Sequence, residues 1–217
     1  MASHELKTPL TSLKAYLQLM ETKLSGTTDP FVKTAVVKSG NQVNKMTALI
    51  HGFLDLSRIE PGKLKLIRTT FDICTLIEEV LTESKILSNS HSIRFEPSGE
   101  CNVNADRAKI GQVISNLVNN AIKYSQKGSY VILKCEANDG NVIVSVTDEG
   151  IGIKPRDQEK IFQRFYRAEE DEQRNISGFG IGLYLSSEII QRHKGKIWVK
   201  SREGEGSTFY FSLPIGG

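Results

Sequence analysis

Over the first sixty residues the apolar positions fall on two narrow helical seams. Leu6, Leu10, Leu13, Leu17, Met20 and Leu24 are spaced 4, 3, 4, 3 and 4 apart, an a/d heptad held for nearly three repeats. Ser25-Gly26-Thr27-Thr28-Asp29-Pro30 interrupts the pattern, and Pro30 suits the first turn of a second helix. Val32, Val36, Val43, Met46, Ile50 and Phe53 resume the ladder, with Ser39 and Ser57 at its remaining rungs. Two antiparallel helices with such narrow seams leave apolar surface uncovered, and a second hairpin completes the core as a four-helix bundle. A homodimer is the simplest source of that hairpin. Pro61-Gly62 ends the second helix, which predicts a helical hairpin over 1–62 and a different domain over 63–217.

Beyond Pro61 the period switches between helix and strand. Asp72 stands as the N-cap of a helix reaching about Leu87, and Ser92 to Glu96 alternates as a short strand. Asp106 to Tyr124 is helical by period, with Ile110, Val113, Ile114, Leu117 and Ile122 inward. Val131-Ile132-Leu133 and Val142 to Val146 read as strands joined through Asn138-Asp139-Gly140-Asn141, a hairpin turn by composition. Leu183 to Gln191 is helical, and Lys196 to Lys200 pairs with Thr208 to Leu213 around Gly204-Glu205-Gly206. The whole is an α+β chain: a helical hairpin, then a two-layer α/β sandwich with a mostly antiparallel sheet.

Composition removes several classes. Twenty-eight basic against 25 acidic residues leave a net charge of +3, too little for a nucleic-acid-binding surface. No run approaches the roughly 18 apolar residues of a membrane span, and no signal peptide opens the chain. Cys74, Cys101 and Cys135 are odd in number, far apart and without a CxxC pair. That spacing argues against a disulfide scaffold or a cysteine zinc site, and it suits buried thiols in a reducing cytosol.

Candidate chemistry lies in five places. In Ser3-His4-Glu5-Leu6-Lys7-Thr8-Pro9-Leu10, the heptad puts His4 and Thr8 outside the seam and one turn apart. A neutral imidazole is a nucleophile at physiological pH, Glu5 beside it can take the ring proton, Thr8 offers a hydroxyl to a water, and Pro9 predicts a bend. Asn116, Asn120 and Lys123 share one helix face, where amide oxygens suit Mg²⁺ and an ammonium suits phosphate. Asp148-Glu149-Gly150-Ile151-Gly152-Ile153 follows a strand: glycines let backbone approach a flat ligand, and a buried aspartate accepts from an exocyclic amine such as that of adenine. Gly178-Phe179-Gly180-Ile181-Gly182-Leu183 opens the last helix, whose N-terminus favours phosphate, and it is neither a Walker A loop nor a Rossmann turn. Between these glycine clusters lie Phe162-Gln163-Arg164-Phe165-Tyr166-Arg167, aromatic and basic, and a charged stretch from Ala168 to Ser177 suited to a mobile lid. Each signal alone also fits a solvated histidine, a hydrophilic helix face or ordinary turns.

Their order is what identifies them. Over essentially its whole length the chain resembles the catalytic core of sensor histidine kinases of two-component systems. Ser3 to Leu10 looks like the H box, Asn116 to Ser125 the N box, Asp148 to Ile153 and Gly178 to Leu183 the two glycine boxes, and Phe162 to Arg167 the F box. The resemblance implies a dimerisation and phosphotransfer hairpin followed by a Bergerat-type ATP-binding domain, the fold shared with gyrase and mismatch-repair ATPases. It implies His4 as phosphoacceptor, Glu5 as its deprotonating partner, and Thr8 in the position linked to phosphatase activity. Asn120 would hold Mg²⁺ with Asn116 in support, Lys123 would contact phosphate, and Tyr124 would pack on the nucleotide. Asp148 would read the adenine amine in a pocket shaped by Gly150, Gly152 and Ile153. Gly178, Gly180, Gly182 and Leu183 would line the lid hinge and phosphates, and Arg164 or Arg167 would steady the γ-phosphate.

The implied enzyme is an ATP- and Mg²⁺-dependent protein histidine kinase, homodimeric, passing its phosphoryl group to the receiver domain of a response regulator. Two other readings use fewer of the motifs: a gyrase-type ATPase that never uses the histidine, and a non-catalytic nucleotide-gated scaffold. Only Met1-Ala2-Ser3 precede His4, where the family carries an upstream helix, so the chain reads as a fragment. The fragment is expected in the cytoplasm and the intact protein at a membrane.

Overall fold

The computed structural model describes residues 2–24, 29, 31–32, 34–40, 43, 46–47, 66–87, 91–168 and 180–215, without the side chains of 2–9, 12 and 83–87. Contacts divide the chain into two units, Met1–Leu64 and Lys65–Gly217.

In the first unit α1 (Ala2–Lys23) runs through Pro9 as one helix and closes with Leu24 N–H donating to the Met20 carbonyl at 2.8 Å. Asp29 Oδ1 accepts from the Phe31 N–H at 2.9 Å, a side-chain start to the second helical segment, which includes 31–32, 34–40, 43 and 46–47. Pro30, Ile50, Phe53, Ser57 and Pro61-Gly62 lie outside the described residues. Within one chain the seam is only partly covered. Leu10 and Val43 are buried, whereas Leu13 is 46%, Met20 51% and Met46 49% exposed. At about 25 cal/mol per Å² of apolar surface, that exposure favours a further apolar partner.

The second unit is built on a five-stranded sheet in the order β2-β4-β5-β7-β6, with β2 Ser92–Pro97, β4 Tyr130–Asn138, β5 Asn141–Asp148, β6 Lys196–Arg202 and β7 Gly206–Pro214. Strand β2 runs parallel to β4, and the other pairs are antiparallel. The β4–β5 turn places Asp139 and Gly140 at φ of 47° and 75°, the left-handed pair of a type I′ hairpin. Three helices cover one face, α2 (Ile73–Leu87), α3 (Arg107–Tyr124) and α5 (Gly182–Arg192), with α3 in the middle; the short α4 (Pro155–Gln158) lies between α3 and α5 in the chain. Between the layers Ile73, Ile77, Ile110, Ile114, Leu117, Leu133, Ile189, Ile190 and Phe211 are fully buried, while Ile122 is half-buried. On the sheet's other face Trp198 stacks on Tyr210 with ring centroids 5.2 Å apart.

The sequence reading missed a second, two-stranded sheet of β1 (Thr69–Asp72) and β3 (Asn102–Ala105). Each strand is four residues long and at least half polar, too short for its alternation to stand out from turn composition. A Val103–Ile215 bridge joins it to the chain just past β7.

One buried histidine fastens the helix layer. His193, 3% exposed, follows α5, and its Nε2 accepts from the Asp106 N–H at 2.9 Å. Because Nε2 accepts, the ring proton is on Nδ1, which donates to the Ile189 carbonyl at 2.8 Å. Burial holds its pKa below the usual histidine value, Arg68 adds to the lowering, and the Ile189 carbonyl and Asp106 oppose it. The unfolded chain therefore carries more protons than the folded one just below about pH 6.5, so stability rises with pH there and is lost as pH falls. Urea midpoints should decline from about pH 7.5 to about pH 5, and His193→Gln, less stable overall, should decline less over that range. Equal declines in the two proteins would remove His193 as the source.

Candidate functional site

A cavity of about 230 Å³ opens between α3 and the start of α5. Its first wall is the polar face of α3: Asn116, Asn120, Lys123 and Tyr124. The helical period puts them there, because burial of Val113, Leu117, Val118 and Ala121 turns the amides and the ammonium the other way. Asn116 is fixed in place, its Nδ2 donating to Ser186 Oγ on α5 at 3.0 Å. A Cβ on Gly182 would strike Asn116 Oδ1, so the first residue of α5 is held to glycine by the side chain it faces. Lys123 is exposed, with Nζ 4.7 Å from the Tyr124 ring centroid and 3.3 Å from its hydroxyl, so its charge sits at the rim.

The opposite wall begins where β5 ends. Asp148 is 4% exposed, and its Oδ1 accepts from the Gly150 N–H at 2.8 Å. Burial pushes its carboxyl up to about 6, against the backbone N–H groups of Gly150 and Ser207, which favour the ionised form. The loop that follows is pinned to the β6–β7 hairpin. Ile153 N–H donates to Ser201 Oγ at 2.8 Å, and Gln158 Nε2 donates to the carbonyls of Ile153 at 3.1 Å and Ser201 at 2.9 Å. Gly152 adopts φ of 70°, and a Cβ there would strike the Arg202 carbonyl; only glycine takes this turn so close to the hairpin.

Of the residues expected at a site, the cavity brings together Asn116, Asn120, Lys123, Tyr124, Asp148, Gly152, Ile153, Arg167, Gly180, Gly182 and Leu183. Gly150 stands behind this wall, bridged to Ser125 and hydrogen-bonded to Asp148. Arg164 is not among the lining residues; its guanidinium lies 4.7 Å over the Phe165 ring, and Phe165 itself takes a left-handed φ of 65°. Arg167 is therefore the arginine of that pair at the cavity. Gly178, residues 169–177 of the expected lid, and the side chains of His4, Glu5 and Thr8 lie outside the described residues; the backbone places those last three in the first turns of α1.

The sequence reading missed Lys154, Asp157, Ile161, Ser207 and Phe209, while Ile151, Tyr166 and Ala168 lay in its candidate segments without a role of their own. Asp157 is buried, and the Tyr166 hydroxyl donates to its Oδ1 at 2.7 Å, a pairing no local pattern announces. Ser207 and Phe209 arrive through the β5–β7 register, Asp148 opposite Ser207 and Val146 opposite Phe209. Together these groups suit an adenine nucleotide: a deep acceptor beside a glycine-narrowed wall for a flat base, and amides and a cation along the side that phosphates would take.

Two family models match the chain: the histidine kinase-, DNA gyrase B- and HSP90-like ATPase over residues 105–217, and the His Kinase A (phospho-acceptor) domain over 1–62. Sensor histidine kinase WalK of Bacillus subtilis is 34% identical over 98% of the chain. The chain belongs to the sensor histidine kinases. Sensor-like histidine kinase SenX3 of Mycobacterium bovis is 32% identical over 98% of this kinase chain, which spans 35% of WalK and 52% of SenX3. Full-length ShkA in complex with AMPPNP aligns with 99% of the chain and 45% of its own at a TM-score of 0.77 and 26% identity. Histidine kinase AdeS of Acinetobacter baumannii aligns with 99% of the chain and 98% of its own at 0.67 and 28%. The helical unit and the mixed sheet with its helix layer are thus the two parts of a histidine kinase catalytic core.

Gly182→Ala tests the fit between α3 and α5. A methyl group against Asn116 forces that amide from Ser186 or moves α5, at a cost of about 1–3 kcal/mol for overpacking. Urea unfolding should show this loss. Wild-type stability in the variant would mean that the helices part without cost.

Proposed function

We propose that the chain binds ATP with Mg²⁺ in the α3–α5 cavity, transfers the γ-phosphoryl group to His4, and passes it to an aspartate on a response regulator receiver domain. The observation that carries this reading is one cavity holding a buried carboxylate, Asp148, opposite the amide and ammonium face of α3. The phospho-acceptor match over residues 1–62, which contain the His4-Glu5-x-x-Thr8 run, supports the acceptor assignment. The similarity to a kinase in complex with AMPPNP supports the nucleotide.

In this reading Asp148 accepts from the adenine amine, Gly150 and Gly152 shape the base pocket with Ile153, and Tyr124 packs on the nucleotide. Asn120 supplies an amide oxygen for Mg²⁺, with Asn116 held by Ser186 behind it. Bound Mg²⁺ neutralises phosphate charge. Lys123 and Arg167 add positive charge along the phosphates, and Gly180, Gly182 and Leu183 border them. Glu5 takes the imidazole proton as the histidine N–P bond forms and the bond to ADP breaks. Positioning and charge neutralisation supply most of the catalysis. Thr8 orients the water that hydrolyses the phospho-aspartate of the regulator. The open seam at Leu13, Met20 and Met46 supports a homodimer.

A gyrase-type ATPase has no use for the phospho-acceptor hairpin, and a nucleotide-gated scaffold has no use for the His4-Glu5-x-x-Thr8 run. Incubation with γ-labelled ATP should give an acid-labile, alkali-stable label on the chain, absent from His4→Gln. ATP hydrolysis without such a label would favour the gyrase-type reading. In the same assay Thr8→Ala should keep its label and lose dephosphorylation of the receiver domain; parallel loss of both would make Thr8 structural.

Asp148→Asn should weaken ATP binding by about 1.5–3 kcal/mol, the scale of hydrogen bonds to a charged group. The acceptor is the ionised carboxylate, so wild-type affinity should also fall as pH drops through about 6, where Asp148 takes up its proton. Titration calorimetry across that range should show a wild-type-to-variant ratio that shrinks toward acid pH. A constant ratio would remove Asp148 from adenine recognition.

A further inference from the structure

Cys74, Cys101 and Cys135 are far apart in sequence, and their spacing argued against a metal site. The fold nonetheless brings them together: the three Sγ atoms lie within 4.8 Å of one another and all three residues are buried. They come from three separate elements. Cys74 is in the first turn of α2, Cys101 immediately precedes β3, and Cys135 takes the inward position after Val131 and Leu133 on β4.

From this geometry we propose that the three thiols form a binding site for one thiophilic ion of low coordination number, copper(I) foremost. A three-coordinate ion with metal–sulfur bonds of about 2.3 Å holds its sulfurs about 4.0 Å apart, so the cluster needs to contract by less than about 1 Å. Among the described residues no carboxylate or imidazole joins the three sulfurs. Zinc, which takes four ligands in structural sites, would lack one, whereas copper(I) is selected by soft sulfur ligands.

The backbone already holds two of the three ligands together. Asp72 Oδ1 accepts from the N–H groups of Cys74 at 3.1 Å and Cys101 at 3.3 Å, and Ile73 N–H donates to the Cys101 carbonyl at 3.0 Å. Cys74 is the least buried of the three. Cys74 donates through Sγ to the Gly99 carbonyl at 3.7 Å, and Ser98, Gly99 and Glu100 form an exposed turn over it. Gly99 stands at φ of 96° with open space where a Cβ would be, so this cover has nothing packed beside it at that point. Binding releases three thiol protons to solvent and leaves the ion's oxidation state unchanged.

The test uses the complete chain, reduced and kept under anaerobic conditions, with copper(I) supplied against the chromophoric chelator bicinchoninate. One copper(I) per chain should be withdrawn from the chelator, and X-ray absorption should show three sulfur neighbours. The loaded chain should melt higher than the empty one, because the ion binds only the folded cluster. Cys101→Ala and Cys74→Ser should each weaken binding at least about 100-fold, the upper end of what even outer-shell changes cost at metal sites. Retained ATP-analogue binding in these variants shows that they are folded. Wild-type chain that competes no better than the variants, or copper with fewer than three sulfurs, would overturn the proposal. The sulfur count on the wild-type chain decides it even where a variant fails to fold.

Discussion

The second unit depends on how the N-terminus of α3 is anchored. Asp106 caps the helix, Oδ1 accepting from the Lys109 N–H at 3.1 Å, and Oδ2 accepts from the Ile67 N–H at 2.9 Å, which ties down the segment leading into β1. Its own N–H goes to His193 at the far end of α5. One residue therefore joins the start of the unit, its central helix and its last helix. Three polar groups that would be costly to bury unpaired satisfy one another instead. Everything α3 carries toward the cavity takes its position from this anchor, since a helix fixed at one end and packed along Ile110, Ile114 and Leu117 cannot rotate Asn116 or Asn120 away.

The cavity is assembled against local preference in several places, and each departure has a neighbour that holds it. Asp148 is buried although burial favours its neutral form, and the N–H groups of Gly150 and Ser207 partly offset that cost. Phe165 keeps a left-handed backbone, and its N–H donates to the Gly180 carbonyl at 2.9 Å, so strain on one side of the cavity is braced by the loop leading into α5. In the proposed kinase the same features act on ligand: a carboxylate already stripped of water discriminates strongly between a donor and an acceptor, because an unmatched group beside it stays unsatisfied.

Helices α2, α3 and α5 and the β4–β5 hairpin were legible in the sequence because each carries a long period or a marked cap: Asp72, Asp106, Asp139-Gly140. The polar face of α3 was legible for the same reason, since Asn116, Asn120 and Lys123 follow from one helical spacing. What stayed hidden depends on pairing between distant segments. Ser207 and Phe209 reach the cavity only through the register of β7 on β5, and Asp157 becomes a partner of Tyr166 only once the loop has folded back. The cysteines make the same point: spacing along the chain reports a cluster when one turn supplies it, and it is silent when α2, β4 and the approach to β3 each supply one thiol.

The two units also differ in where their stability comes from. The sheet and its helix layer bury large side chains such as Ile110, Leu133, Ile189 and Phe211 completely within one chain. The helical unit leaves Leu13, Met20 and Met46 about half exposed. Apolar surface arranged at heptad spacing gains most from a partner of the same spacing, and that gain depends on protein concentration. In the proposed homodimer the nucleotide unit keeps its core as a monomer, while the bundle that presents His4 is completed by association. In that proposal phosphoryl transfer responds to whatever brings two hairpins together or shifts their packing, without change in how tightly the α3–α5 cavity holds its ligand. A fold that places the nucleotide site on a self-sufficient core and the acceptor on a concentration-dependent one separates binding from transfer, and that separation lets a signal act on transfer alone.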